Sequence, residues 1–208
     1  RENIDKIIYH IGDSHCLSFV NQNIKINKIS YKILPKLING AKAWHLGNEE
    51  TNFYKKLFVN HLKNVEIGSI VFFSFGEIDC RINEGIINLI SKNNSKSTIN
   101  KITHNTVRNY VEFIYEQTNN KNLSCYIFGI PAPSIIKDDE RAYLLKIIIK
   151  EFNCHLKNIC KEKGINYIDV YAHTKNKFDT SNEKFMLDSC HLNFKFMKVI
   201  ENSINSNH

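Results

Sequence analysis

The sequence predicts a single α/β domain over residues 1–208, arranged in three layers. The central layer is an open parallel sheet of about five strands, with helices on both faces. Three observations predict it. Short apolar runs recur along the chain, each run is continuous rather than alternating, and amphipathic stretches separate them. A continuous run belongs to a strand covered on both faces, as in parallel sheets. Strand and helix in alternation then imply crossover connections between parallel neighbours.

The elements follow in order. Lys6 to Ile11 is the first run and stops at Gly12-Asp13. Ile29 to Leu34 supplies a further strand. Thr51 to Leu62 places Phe53, Leu57, Phe58 and Leu62 on one helical stripe. Ile70 to Phe75 is a nearly unbroken apolar run ending at Gly76. Ser91 to Thr98 is polar and reads as a loop, and Ile99 to Gln117 as a helix. Cys125 to Ile130 is a strand ending at Pro131. The clearest helix is Asp138 to Lys163. Asp138 and Asp139 favour its positive N-terminal end, Leu144, Leu145, Ile148, Phe152, Leu156 and Ile159 form its apolar face, and Gly164 stops it. Asn166 to Tyr171 is the next strand. A last helix runs from Asn193 to about Ser203 with Asn193 as its N-cap. The whole is a flavodoxin-like arrangement, with no repeat or linker dividing it.

Composition narrows the function classes. Hydrophobic residues at 42% and charged residues at 24% are those of a folded globular chain, which excludes wholesale disorder. The longest apolar stretch, Ile67 to Phe75, is broken by Gly68, Ser69 and Ser74 and falls short of the roughly 20 residues a bilayer requires. No basic-then-apolar leader opens the chain, so a cytoplasmic location is expected. The first residue is Arg1 rather than Met, which fits a piece of a larger multidomain chain. Lys and Arg number 28 against 21 Asp and Glu, a net charge of +7. The lysines are dispersed, with no arginine-rich arm and no aromatic-basic stripe, so no nucleic-acid partner is expected. Six cysteines without a C-x-x-C pair match neither a zinc ribbon nor a dense disulfide framework. No metal is expected, a reducing interior fits, and the even count leaves disulfides open.

In a doubly wound sheet, ligands bind beyond the carboxyl ends of the strands. The residues there are Gly12-Asp13-Ser14-His15, Gly76-Glu77-Ile78-Asp79-Cys80-Arg81 and, ahead of the last helix, Asp188-Ser189-Cys190-His191. A serine hydroxyl is a poor nucleophile at neutral pH and needs an imidazole base, itself oriented by a carboxylate. Ser14 follows a strand and a glycine. His191 is the candidate base, and Asp188, three residues earlier, is within one local turn of its other nitrogen. Each has a plainer reading: Ser14 as a helix N-cap, His191 as a surface histidine, Asp188 as a turn cap.

Gly12-Asp13-Ser14 after the first strand, with Asp188-x-x-His191 near the C-terminus, resembles the SGNH (GDSL-like) hydrolase superfamily. The resemblance implies acyl-ester chemistry through a Ser14–His191–Asp188 triad and no cofactor. It also implies a glycine N–H at the oxyanion, assigned to Gly47 with Gly40 as second choice. The third block departs from the pattern, because Ile78 stands where the family has an asparagine that donates to the oxyanion. Arg81 is the candidate replacement, either reaching the developing charge or pairing with Asp79 and Glu77. His15 is a further candidate contact to substrate. The string Gly-Glu-Ile-Asp-Cys-Arg also looks like a branch associated with surface-polysaccharide modification. The expected substrate is therefore a small-molecule or glycan ester, with an acyl donor if the reaction is transfer. Two rival readings remain. A non-catalytic carbohydrate-binding module would explain Ile78, whereas a nucleotide binder would need a longer phosphate loop than Gly12-Asp13-Ser14-His15.

Overall fold

The computed structural model describes residues 6–90, 96–135 and 139–206. Its strands are β1 (Lys6–Gly12), β2 (Asn23–Ile26), β3 (Ile29–Leu37), β4 (Ile70–Ser74), β5 (Ser124–Phe128) and β6 (Asn166–Ile168). They lie side by side in the order β2-β3-β1-β4-β5-β6. All neighbours are parallel except β2, which runs antiparallel to β3. The expected parallel sheet is present, extended at one edge by a strand the sequence reading missed. Asn23–Ile26 is short and half polar, and its two-residue hairpin uses Asn27 and Lys28, both at positive φ (49° and 67°). Such a turn is normally announced by Asn-Gly, and a lysine in the second place hides it. β3 also runs on to Leu37 through Pro35. That is possible because β2 reaches only as far as Lys32, leaving the far half of β3 as an edge.

Why the apolar runs are continuous is visible in their two-sided packing. Tyr9, Ile11, Val71, Phe73, Cys125 and Ile127 face one core. That core is closed by α1 (Ala43–Gly47), α2 (Phe53–Lys63), α5 (Lys96–Thr118) and α6 (Glu140–Lys163). The alternate residues Ile8, Phe72, Tyr126 and Phe128 face a second core, closed by Phe19, Phe196 and by Ile200 and Ile204 of α8 (Met197–Asn205). Three layers result. Among the described residues no helix is long and apolar enough to cross a membrane. All six cysteines are unpaired.

Helix ends follow their capping chemistry. Asp139 accepts from the Ala142 N–H to start α6, and Gly164 at φ 68° closes it; Asp138 lies outside the described residues. Asn193 caps the 3-10 turn that leads into α8, as expected. The predicted helix at Thr51 begins instead at Phe53, because Asn52 caps it through the Lys55 N–H. The loop expected over Ser91–Thr98 is partly a correction: residues 91–95 lie outside the description, and Lys96 already belongs to α5. The strand expected over Asn166–Tyr171 stops at Ile168. Asp169 turns the chain there by capping α7 (Val170–Thr174) through the Ala172 N–H. Two further short helices, α3 (Glu77–Cys80) and α4 (Ile86–Ile90), are too brief to leave a periodic trace in the sequence.

One feature of the order positions the site. From β1 the chain steps to β3 on one side and later returns to β4 on the other, so β1 marks the topological switch point. The crevice beyond its carboxyl end is where such sheets bind ligands.

Candidate active site

β1 ends at Gly12, where a Cβ would stand 2.2 Å from Ser74 Oγ on the neighbouring strand. Only glycine allows that approach. Asp13 then caps the 3-10 turn Ser14–Phe19, its carboxylate accepting from the His15 N–H at 2.9 Å. The capping role read as the plain alternative for Ser14 thus belongs to Asp13, and the serine occupies the first position of the turn.

Ser14 Oγ lies 2.9 Å from His191 Nε2, although the two are 177 residues apart. His191 Nδ1 lies 2.8 Å from Asp188 Oδ2. The loop holding these groups is folded by Asp188 itself, whose Oδ1 accepts the backbone N–H of Cys190 at 2.9 Å and of His191 at 2.7 Å. It is pinned at both ends by Leu187 N–H donating to His191 O and Asn193 N–H donating to Phe185 O. Burial pushes the Asp188 carboxyl up, but the N–H groups of His191 and Cys190 and the His191 ring outweigh it and hold it well below the usual carboxylate range. An ionised Asp188 accepts from Nδ1–H, which leaves the Nε2 lone pair facing the serine hydroxyl.

Behind the serine lies a charged row. His15 is buried, its ring centroid 4.6 Å from that of His191 and its Nε2 3.5 Å from Glu77 Oε2. Burial disfavours the charged ring, yet Cys190, Glu77 and Asp13 together push His15 up to about 10. Glu77 is raised by burial but held below its ordinary value by His15 and Arg81. Arg81 grips Glu77 through Nε at 2.8 Å and Nη2 at 2.7 Å, and its Nη1 lies 3.7 Å from Glu84. Of the two roles expected of Arg81, the pairing with Glu77 is present, with Glu84 as a further carboxylate partner. His15 is likewise committed to Glu77 and the His191 ring.

Asp79 is held by backbone groups. It is 1% exposed and accepts from the backbone N–H groups of Ala43 at 2.7 Å and Trp44 at 3.0 Å. It caps α1 from a distant segment, neither pairing with Arg81 nor facing a crevice. Burial raises it to about 7 against the opposing pull of those two N–H groups. Gly47 lies at a contact between helices. It ends α1 in close packing on α5, where a Cβ would lie 2.8 Å from both Asn109 Cβ and Tyr110 N. It is glycine because two helices touch there. Gly40, by contrast, is exposed, at φ 71°, in the turn after β3. Two residues before it, the Ile38 N–H donates to Gly12 O at 2.7 Å, tying that turn to the end of β1 beside Ser14. Ile78 is buried and offers no side-chain donor.

One buried polar residue near the site was not singled out from the sequence. His10, fully buried in β1, contacts Ser74 Oγ through Nε2 at 2.9 Å, and burial lowers it to about 3. With Asp13, His15 and Ser74 it lines a small cavity of about 20 Å³ under the serine turn. A histidine inside an apolar run was the available signal. Beside the site, a cleft of about 470 Å³ is lined by apolar residues including Ile130, Pro131, Pro133 and Ile149. Arg81, Asn83, Ser189 and Cys190 also line it. Among the described residues, one group of side chains has metal-ligating geometry: His15, Cys190 and His191, with donor atoms within 4.8 Å of one another.

Solved structures agree on the fold. A lipase from a goat rumen metagenome matches with a TM-score of 0.61 at 14% identity, over 97% of this chain and 96% of its own. An extracellular lipase from Streptomyces rimosus gives 0.58 at 12%, over 98% and 100%. A GDSL-like lipase from Bacteroides thetaiotaomicron gives 0.56 at 12%, over 97% and 87%. No family model matches the sequence, and no curated protein does. At these identities the likeness establishes the shared fold.

Proposed function

We propose that this protein is a serine-dependent acyl-ester enzyme of the SGNH type, acting on O-acyl groups of a carbohydrate. The observation that carries the reading is the chain of contacts from Ser14 through His191 to Asp188, at 2.9 and 2.8 Å. Ser14 Oγ attacks the ester carbonyl as its proton passes to His191 Nε2. The tetrahedral intermediate collapses, His191 returns that proton to the departing alcohol, and Ser14 is left acylated. Water, or a sugar hydroxyl in the transfer version, then attacks with His191 again as base. Asp188 keeps the ring in the tautomer this requires and stabilises the imidazolium. The backbone N–H groups of Ser14 and Gly40 serve the oxyanion. The Gly40 assignment replaces Gly47 and rests on the exposed turn tied to Gly12. Isoleucine at position 78 removes one expected donor, a loss of about 2.7–4 kcal/mol of transition-state stabilisation in other hydrolases, so turnover of simple esters will be slow.

The carbohydrate assignment draws on the Gly-Glu-Ile-Asp-Cys-Arg resemblance and on the mixed character of the cleft. Apolar lining suits a short acyl chain or a sugar face, and polar lining suits hydroxyls. The test is incubation with p-nitrophenyl acetate and with a fluorophosphonate probe. Labelling and turnover in the parent, both abolished in Ser14→Ala, support the reading. Absence of both in the parent overturns it and leaves the fold as a binding module, which Ile78 would explain.

A further inference from the structure

We propose that His15, Cys190 and His191 form a binding site for a thiophilic divalent cation of the zinc class, and that the bound cation holds the enzyme inactive. Chain spacing conceals this group, since His15 and Cys190 come from opposite ends of the polypeptide. The fold brings their donor atoms, with those of His191, to within 4.8 Å of one another. Two imidazoles and a thiolate are the ligand set that favours zinc over magnesium or calcium.

The geometry is close to what coordination needs. Cys190 Sγ lies 3.5 Å from His191 Nδ1. Zinc bonds of about 2.3 Å to sulfur and about 2.05 Å to nitrogen, at a tetrahedral angle, separate two such donors by about 3.6 Å. The His15 ring is buried, and its Nε2 faces Glu77 Oε2 at 3.5 Å, an ion-pair contact longer than a good hydrogen bond. A donor nitrogen of His15 lies within 4.8 Å of the same sulfur, so Cys190 is near both rings.

Inhibition follows from proton placement, and this part rests on His191 being the base. With the triad intact, His191 carries its proton on Nδ1 toward Asp188. A cation taking the Nδ1 lone pair moves that proton to Nε2, the atom that must accept from Ser14. Cys190 gives up its thiol proton and His15 its imidazolium proton, both to solvent, so that each binds through a free lone pair. Asp188, its Oδ2 2.8 Å from Nδ1, loses its hydrogen bond and becomes available as a fourth ligand.

The experiment uses the whole chain after chelator treatment. Cobalt(II), added as a spectroscopic substitute for zinc, is expected to give a thiolate-to-metal charge-transfer band at one equivalent. The band should vanish in Cys190→Ser and persist in Cys154→Ser, the control for the exposed cysteine on α6. Zinc affinity by calorimetry should fall at least 100-fold in Cys190→Ser and Cys190→Ala. Stoichiometric zinc should slow p-nitrophenyl acetate turnover at least tenfold, and a chelator should restore it. A band that survives in Cys190→Ser, or no band in the parent, overturns the site. Tight zinc binding that requires Cys190 but leaves turnover unchanged overturns the inhibition. If the metal-free protein has no turnover, the proposed function fails, while the cobalt band still decides the site.

Discussion

Replacing Asp79 with alanine separates a structural role from a catalytic one. Its carboxylate accepts two backbone N–H groups, from Ala43 at 2.7 Å and Trp44 at 3.0 Å. Each donor left unpaired in a buried place costs about 1–3 kcal/mol. The two are not equal, since Ala43 is fully buried whereas Trp44 is 50% exposed and its N–H can find water. The substitution also relieves the burial that raises Asp79 to about 7, which offsets part of the loss. A net loss of about 2–3 kcal/mol is expected. With a urea slope of about 2 kcal/mol per molar for a domain of this size, the midpoint falls by about 1–1.5 M. Asp79→Asn keeps one acceptor and should fall between. Molecules that remain folded should still label at Ser14. An unchanged midpoint together with lost turnover would refute the reasoning and return Asp79 to the substrate-contacting role the sequence suggested.

Asp188→Ala should lower kcat by about 10²–10⁴ and also cost stability, since the carboxylate accepts the Cys190 and His191 N–H groups that fold its loop; because Asp188 stays ionised far into the acid range, the acid limb of the parent's pH–rate profile should survive its replacement. His15 predicts a stability profile. Its folded value of about 10 lies above the unfolded imidazole, so its contribution is complete below about pH 6.5 and fades as pH climbs toward 10. Urea unfolding at pH 6.5 and 9.5 should differ by about 2–4 kcal/mol in the parent, and His15→Gln should flatten the difference. Gly47→Ala drives a methyl into Asn109 and Tyr110 and should cost about 1–3 kcal/mol while sparing turnover per folded molecule. Lost turnover at unchanged stability would restore its oxyanion role.

Much of this molecule was legible in the linear chain. The layered sheet followed from continuous apolar runs, because a strand buried on both faces has no polar side to show. The stop at Gly164 and the cap at Asn193 were readable because capping is chemistry between residues a few positions apart. Ser14, His191 and Asp188 could be named since each follows or precedes a recognisable element. Elements of four or five residues, such as α1 and α3, were invisible because they are shorter than two helical turns.

What the sequence by itself determined was local: which segments are strands and helices, where most of them stop, and which residues carry reactive groups. What only the tertiary structure decided was partnership. Arg81 could have met Asp79, Glu77 or an oxyanion, and the fold gave it Glu77. Asp79 was free to be catalytic until two N–H groups from α1 turned it into a cap. Gly47 is a helix contact, and Cys190 stands between two histidines, for the same reason. A side chain's hydrogen-bonding capacity is written in its formula, but which distant group satisfies it depends on how the sheet brings remote segments within a few ångströms.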